Sequence, residues 1–174
     1  MARTRIEYGE RSWNPLTGCT VVSEGCRDCW ARSMAKRLKA AGRPEYQDAV
    51  DDKGQWTGRI TLVPERLNEP SSWRKPQHVL VEYMGDLFHE HVPVDYILRV
   101  FNVMDRTPQH TYQTLTKRAS NMEYILLNEE PVPNVILGVT VENQRRANER
   151  REFLSILAER GWRTWVSYEP ALSH

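Results

Sequence analysis

Apolar residues recur at helical spacing in one early segment. Trp30, Met34 and Leu38 fall every fourth residue, with Ala31 and Ala35 beside them. The stripe predicts a helix over 28–41, ended by Gly42 and Pro44. Periodicity then fails. Residues 43–77 carry Trp56, Trp73 and four prolines, which predicts an irregular connection with a short strand at 59–62. From residue 78 the pattern is regular. Strands are expected over 78–84, 111–115, 135–141 and 163–167, and helices over 94–106, 120–127 and 143–160. A further strand is expected near Arg5-Ile6-Glu7-Tyr8. Strands alternating with helices indicate an α/β fold with a parallel sheet and right-handed crossovers. Periodicity leaves barrel or open sheet undecided. The expected organisation is one domain over 1–174: a cysteine loop and first helix (1–42), the connection (43–77) and the βα repeats (78–174).

The predicted strands end in residues that a core would not take: Gly85-Asp86, Thr116-Lys117-Arg118, Thr140-Val141-Glu142-Asn143 and Tyr168-Glu169-Pro170. In βα folds the functional groups gather at such C-terminal strand ends. The chain has 174 residues and a net charge of +1, so no global field commits it to nucleic acid or membrane. No apolar run approaches the ~20 residues of a membrane span, and the N-terminus does not read as a secretory signal. A glycine-rich phosphate loop and a Ser-His-Asp pattern are both missing.

The three cysteines lie within eleven residues, Cys19, Cys26 and Cys29, in C-x6-C-x2-C spacing, with Gly18 and Gly25 before the first two. An odd number of clustered cysteines suits metal binding in a reducing cytoplasm rather than disulfides. Three thiolates leave one position open, where four would close a site. Spacing alone also admits zinc, with His89 or His91 as fourth ligand. The other bland readings are a plain turn at Gly85-Asp86, a strand-ending turn at Glu169-Pro170 and solvated charge at Lys117-Arg118. Two basic stretches, Arg32/Lys36/Arg37/Lys39/Arg43 and Arg145/Arg146/Arg150/Arg151, could meet phosphates. In the second, Glu149, Glu152 and Glu159 interleave, which favours a solvated helix face.

Several segments together resemble a phage and bacterial family with a three-cysteine motif, similar to radical S-adenosylmethionine (SAM) enzymes of the spore photoproduct lyase type. They are Ser12-Trp13-Asn14-Pro15, Cys26-Arg27-Asp28-Cys29-Trp30-Ala31, Met84-Gly85-Asp86-Leu87-Phe88-His89 and Pro108-Gln109-His110-Thr111. Further along come Leu115-Thr116-Lys117-Arg118, Leu137-Gly138-Val139-Thr140-Val141-Glu142 and Ser167-Tyr168-Glu169-Pro170. The resemblance implies a partial (β/α) barrel. Cys19, Cys26 and Cys29 would hold a [4Fe–4S] cluster whose open iron chelates SAM. An electron from an external reductant would cleave SAM to methionine and a 5′-deoxyadenosyl radical. Gly85 and Asp86 would meet the SAM amino group, Thr116 and Lys117 its carboxylate, Thr140 its ribose. Trp30 stands near the adenine position, where Asp28 replaces the usual aromatic residue before the last cysteine. The usual spacing is C-x3-C-x2-C, so the first gap here is three residues longer. Glu169 and Glu142 are the candidate catalytic carboxyls. The substrate class expected by analogy is nucleic acid, in a cytoplasm (the host's, if the chain is phage-encoded), without a membrane.

A full barrel of this kind needs about 200 residues or more. The chain therefore reads as an incomplete barrel, completed by missing residues, a second copy or another partner. The rival readings are a zinc- or cluster-bearing module that binds nucleic acid or protein without catalysis, and a truncated inactive barrel.

Overall fold

A computed structural model describes residues 9–172. Helix and strand periodicity place most elements close to their expected positions. In chain order they are β1 (Arg11–Trp13), β2 (Leu16–Thr17), α1 (Trp30–Ala40), β3 (Thr61–Leu62), β4 (His78–Val81), α2 (Val94–Asp105), β5 (Thr111–Thr114), α3 (Ala119–Leu126), β6 (Val135–Val141), α4 (Gln144–Glu159) and β7 (Arg163–Tyr168). The main sheet has the order β1-β4-β5-β6-β7, and every neighbouring pair is parallel. β2 and β3 form a separate antiparallel pair.

Spatial order equals chain order, so right-handed crossovers put the connecting helices on one face. The apolar core lies there. Val79, Val81, Tyr112, Leu137 and Val139 of the sheet pack with Ile97, Phe101 and Met104 of α2, Met122 of α3 and Leu154 and Leu157 of α4. Each fully buried aliphatic or phenyl side chain contributes about 1.5–3 kcal/mol, so this cluster ties sheet and helices into one unit. Alternate residues, among them Leu80, Gln113, Gly138 and Thr140, point to the opposite face. Gly138 is required there. A Cβ would overlap the Trp165 ring nitrogen and the Thr114 carbonyl. Without it, Trp165 reaches across β6 and its Nε1 donates to Thr114 O at 3.1 Å.

One expected strand is not covered, and several boundaries shift. The strand expected near 5–8 lies outside the described residues, and β1 at 11–13 is the strand that pairs with β4. A three-residue strand is too short to show alternation. It is fixed instead by Trp13, fully buried, whose Nε1 donates to Arg66 O at 2.8 Å. β4 stops at Val81 rather than 84 because Glu82 adopts a left-handed backbone, φ 56°. α1 starts at Trp30 because Glu24–Asp28 form a 3-10 turn. Asn143 is the cap of α4 rather than its first residue, and its Oδ1 accepts the Arg146 N–H at 2.9 Å. No helix among the described residues is long and apolar enough to cross a membrane.

Candidate functional site at the strand ends

The C-terminal ends of the sheet strands, the cysteine loop and the start of α1 enclose a cavity of about 530 Å³. Its wall contains Cys19, Cys26, Cys29, Trp30, Gly85, Asp86, Thr116, Lys117, Thr140 and Glu169. Of the residues expected to hold the cluster, meet SAM or act on substrate, Glu142 is not on that wall, and neither are His89 and His91, the alternative zinc ligands. All three cysteines are free thiols. Among the described residues, no three His, Cys, Asp or Glu side chains converge as they would around a single ion.

Asp86 does not offer a free carboxyl. Its Oδ1 accepts the Thr116 hydroxyl at 2.7 Å and the Phe88 N–H at 3.1 Å. Its Oδ2 accepts Arg118 Nη1 at 2.8 Å. Arg118 is itself buried, and its Nε donates to the Glu90 carboxylate at 2.9 and 3.0 Å. The same guanidinium donates to Thr20 Oγ1 and approaches Cys19 Sγ at 3.7 Å. Burial would lower the Arg118 pKa, but Asp86 and Cys19 outweigh it and hold the group charged. Burial, with the Asp86 charge adding to it, pushes the Cys19 thiol up to about 12 despite Arg118. Sequence placed Asp86 as a ligand contact. The structure makes it the base of a polar clamp through which Arg118 positions the first cysteine.

Glu82 is the opposite case. It lines the cavity and is 1% exposed. Its Oε2 accepts the Leu16 N–H at 3.0 Å, and its Oε1 has no hydrogen-bond partner. Burial raises its pKa well above the ordinary value, against the Leu16 N–H and with help from Asp86. Gly85 has no side chain because a Cβ would stand 2.8 Å from this Oε1 and 2.7 Å from Gly18 O. A left-handed backbone on a non-glycine residue and an orphaned buried oxygen are features that gather at functional sites. Sequence reasoning missed Glu82. The available signal was one carboxyl inside the apolar run Val79-Leu80-Val81-Glu82-Tyr83-Met84.

Glu142 is fully buried behind the cysteine loop. Its Oε1 accepts the Ser23 hydroxyl, and its Oε2 accepts Arg150 Nη1 at 2.7 Å. Lys117 Nζ stands 3.8 Å away. Next to Ser23, Glu24 takes Asn143 Nδ2 at 2.6 Å and Arg146 Nη2 at 2.8 Å. Those hydrogen bonds, Arg146 first, hold its pKa down to about 2. The loop is therefore pinned at Cys19-Thr20 by Arg118 and at Ser23-Glu24 by β6 and α4. Glu142 anchors the loop; Glu169, exposed at the rim, is a carboxyl open to the cavity, as is Asp28. His89 is also committed: Nε2 meets Thr20 Oγ1 at 3.0 Å and Nδ1 accepts the His91 N–H at 3.1 Å.

A family model described as a protein of unknown function (DUF5131) matches residues 3–174. The chain belongs to this family. The match covers the cysteine loop, the five parallel strands and every residue of the cavity wall in one span. No curated protein and no solved structure gives a match.

Proposed function

We propose that this DUF5131 chain is a radical SAM-type iron–sulfur protein, with the cluster on Cys19, Cys26 and Cys29 and SAM in the adjoining cavity. One observation carries the reading. Three free thiols and the strand-end residues matched to SAM contacts, distant in sequence, line the same cavity. A parallel sheet in chain order is also what a partial (β/α) barrel requires, and it supports that architecture.

The donor set suits the group. A single zinc ion needs each thiolate at about 2.3 Å from one point. Iron–sulfur clusters take their thiolates on separate irons, so three thiols on one wall suit a cluster that keeps one iron open. When bound, cluster and SAM would supply reductive cleavage chemistry. The chain's own groups supply the rest. Arg118 holds the Cys19 sulfur in place, and that thiol must release its proton on loading. Lys117 Nζ, partly exposed on the wall, is the cation available to a ligand carboxylate. Glu82 Oε1 replaces Asp86 as the acid facing a ligand amino group. Thr140 presents a hydroxyl, and Glu169 a carboxyl at the rim where substrate enters.

Anaerobic reconstitution with iron and sulfide, followed by reduction in the presence of SAM, tests the reading. A brown protein that releases methionine is expected. A colourless protein carrying stoichiometric zinc would replace the proposal with the zinc-bearing module, and a brown protein inert toward SAM would leave a cluster module without this catalysis.

A further inference from the structure

The two basic stretches of the sequence part company in the structure. Along α4, Arg145 pairs with Glu149, Arg146 with Glu24 and Glu149, and Arg150 with the buried Glu142. Along α1 and its flanks, the ion pair among the described residues is Lys39 with Asp52. Arg32 donates to neutral acceptors, the Gln55 side chain and the Arg27 carbonyl. Arg27, Lys36 and Arg37 are exposed and have no ion pair among the described residues. Asp28 is the one acid between residues 27 and 43, against six cations. A face of this kind is matched to a polyanion.

An aromatic group stands at its end. Trp30, Ser33, Met34 and Arg37 follow at steps of three and four residues, so they form one line along α1, and all four are exposed. Trp30 is 53% exposed, and it also lines the cavity. Val21 and Val22 lie exposed in the same loop. An indole left half in water beside a cavity mouth, followed by cations, is the arrangement that binds single strands: stacking for bases, charge for phosphates. The eleven residues of α1 run about 16 Å, room for two to three backbone phosphates.

We infer that this face of α1 binds single-stranded nucleic acid, with phosphates on Arg27, Lys36 and Arg37 and one base stacked on Trp30 at the cavity mouth. A paired base keeps its faces in its own stack, so the strand must be single or locally opened. An acidic peptide would use the cations but has no need of the indole. The inference gives the cavity its substrate class and rests on the proposed cofactor chemistry only for what happens after binding.

Fluorescence anisotropy on the full chain tests it, with labelled DNA and RNA single strands of about twelve nucleotides and a polyglutamate peptide as probes. Trp30→Ala should weaken oligonucleotide binding about five- to 150-fold. Combining Lys36→Gln with Arg37→Gln should flatten the slope of log affinity against log salt by about 1.4. Arg145→Gln and Arg151→Gln on α4 should change nothing. These side chains are exposed, and thermal unfolding checks that each variant is folded. Oligonucleotide binding that is absent, or indifferent to Trp30, overturns the inference. Polyglutamate bound as tightly as the oligonucleotide also overturns it and hands the face to an acidic protein. The Lys36/Arg37 double variant should retain SAM cleavage in the absence of oligonucleotide. Wild-type protein that binds oligonucleotide through Trp30 but never cleaves SAM supports this inference and sinks the cofactor reading.

Discussion

Asp86 and Glu82 stand four residues apart near one strand end, in opposite situations. Both oxygens of Asp86 are taken by protein donors, so its removal leaves Thr116 and one arm of the Arg118 guanidinium without an acceptor, with Glu90 as the remaining acid on Arg118. Losing hydrogen bonds to a buried charged group while a second acid remains typically costs about 1.5–3 kcal/mol. Asp86→Ala should therefore lose stability on that scale in urea denaturation of the metal-free chain; a loss below about 1 kcal/mol would show that the clamp is not holding. Burial instead shifts Glu82 toward its protonated form. Its folded pKa lies above the 4.5 of an ordinary glutamate, so the folded chain keeps a proton that the unfolded chain releases. The group then destabilises the fold progressively as pH rises above 4.5, and has no such effect below it. Asp86 and Arg66 act on its charge, and Tyr46 and Tyr96 lie within its field. Glu82→Gln keeps the shape without the titration. The stability advantage of the glutamine variant should widen as pH rises above 4.5, and parallel pH profiles would refute the assignment.

At the scale of elements, the cysteine loop is fastened by contacts with distant parts of the chain. Ser23 and Glu24 are held by Glu142, Asn143 and Arg146, which belong to the end of β6 and the start of α4. Asn143 does two jobs, capping α4 through Oδ1 and holding Glu24 through Nδ2. Asn143→Ala should cost about 1 kcal/mol and speed hydrogen exchange in the loop as well as in the first turn of α4. Faster exchange in α4 alone would mean that the loop is held by other contacts. In the sheet, Gly138→Ala should cost about 1–3 kcal/mol, because the new methyl meets Trp165 and the Thr114 backbone. Wild-type stability for that variant would show that Trp165 does not lie across β6.

For the whole molecule, chain-order winding of a parallel sheet puts successive strand ends side by side, and the loop of residues 19–29 folds back over them. Cys19 at one end of the chain and Glu169 near the other then share a wall. Under the proposed function, each cysteine is needed at its own iron. Cys19→Ala, Cys26→Ala and Cys29→Ala should each lower iron and sulfide after anaerobic reconstitution, and a variant with wild-type content would remove that cysteine from the site. The Asp86→Ala variant separates structure from chemistry here. Its metal content should fall together with its stability, since Arg118 loses its hold near Cys19.

The α/β class, the order of strands and helices, and the cysteine cluster were legible in the sequence because each is written locally. A helix shows in steps of three and four residues, a strand in alternation, a cysteine cluster in close spacing. The motif ends Gly85-Asp86, Thr116-Lys117, Thr140 and Glu169 were legible too, and the fold gathers them at one cavity. Burial and partnership were not legible, because they depend on residues far along the chain. Asp86 meets Arg118 across 32 positions, and Ser23 meets Glu142 across 119. A carboxyl at a strand end reads alike in sequence whether its oxygens are satisfied, as in Asp86 and Glu142, or one is left bare, as in Glu82. The same holds for charge: Arg146 and Arg37 sit in equally basic stretches, and only packing gave Arg146 its acids and left Arg37 facing water. Local periodicity sets which elements form, while the close approach of distant side chains in a low-dielectric interior decides which groups remain free to act.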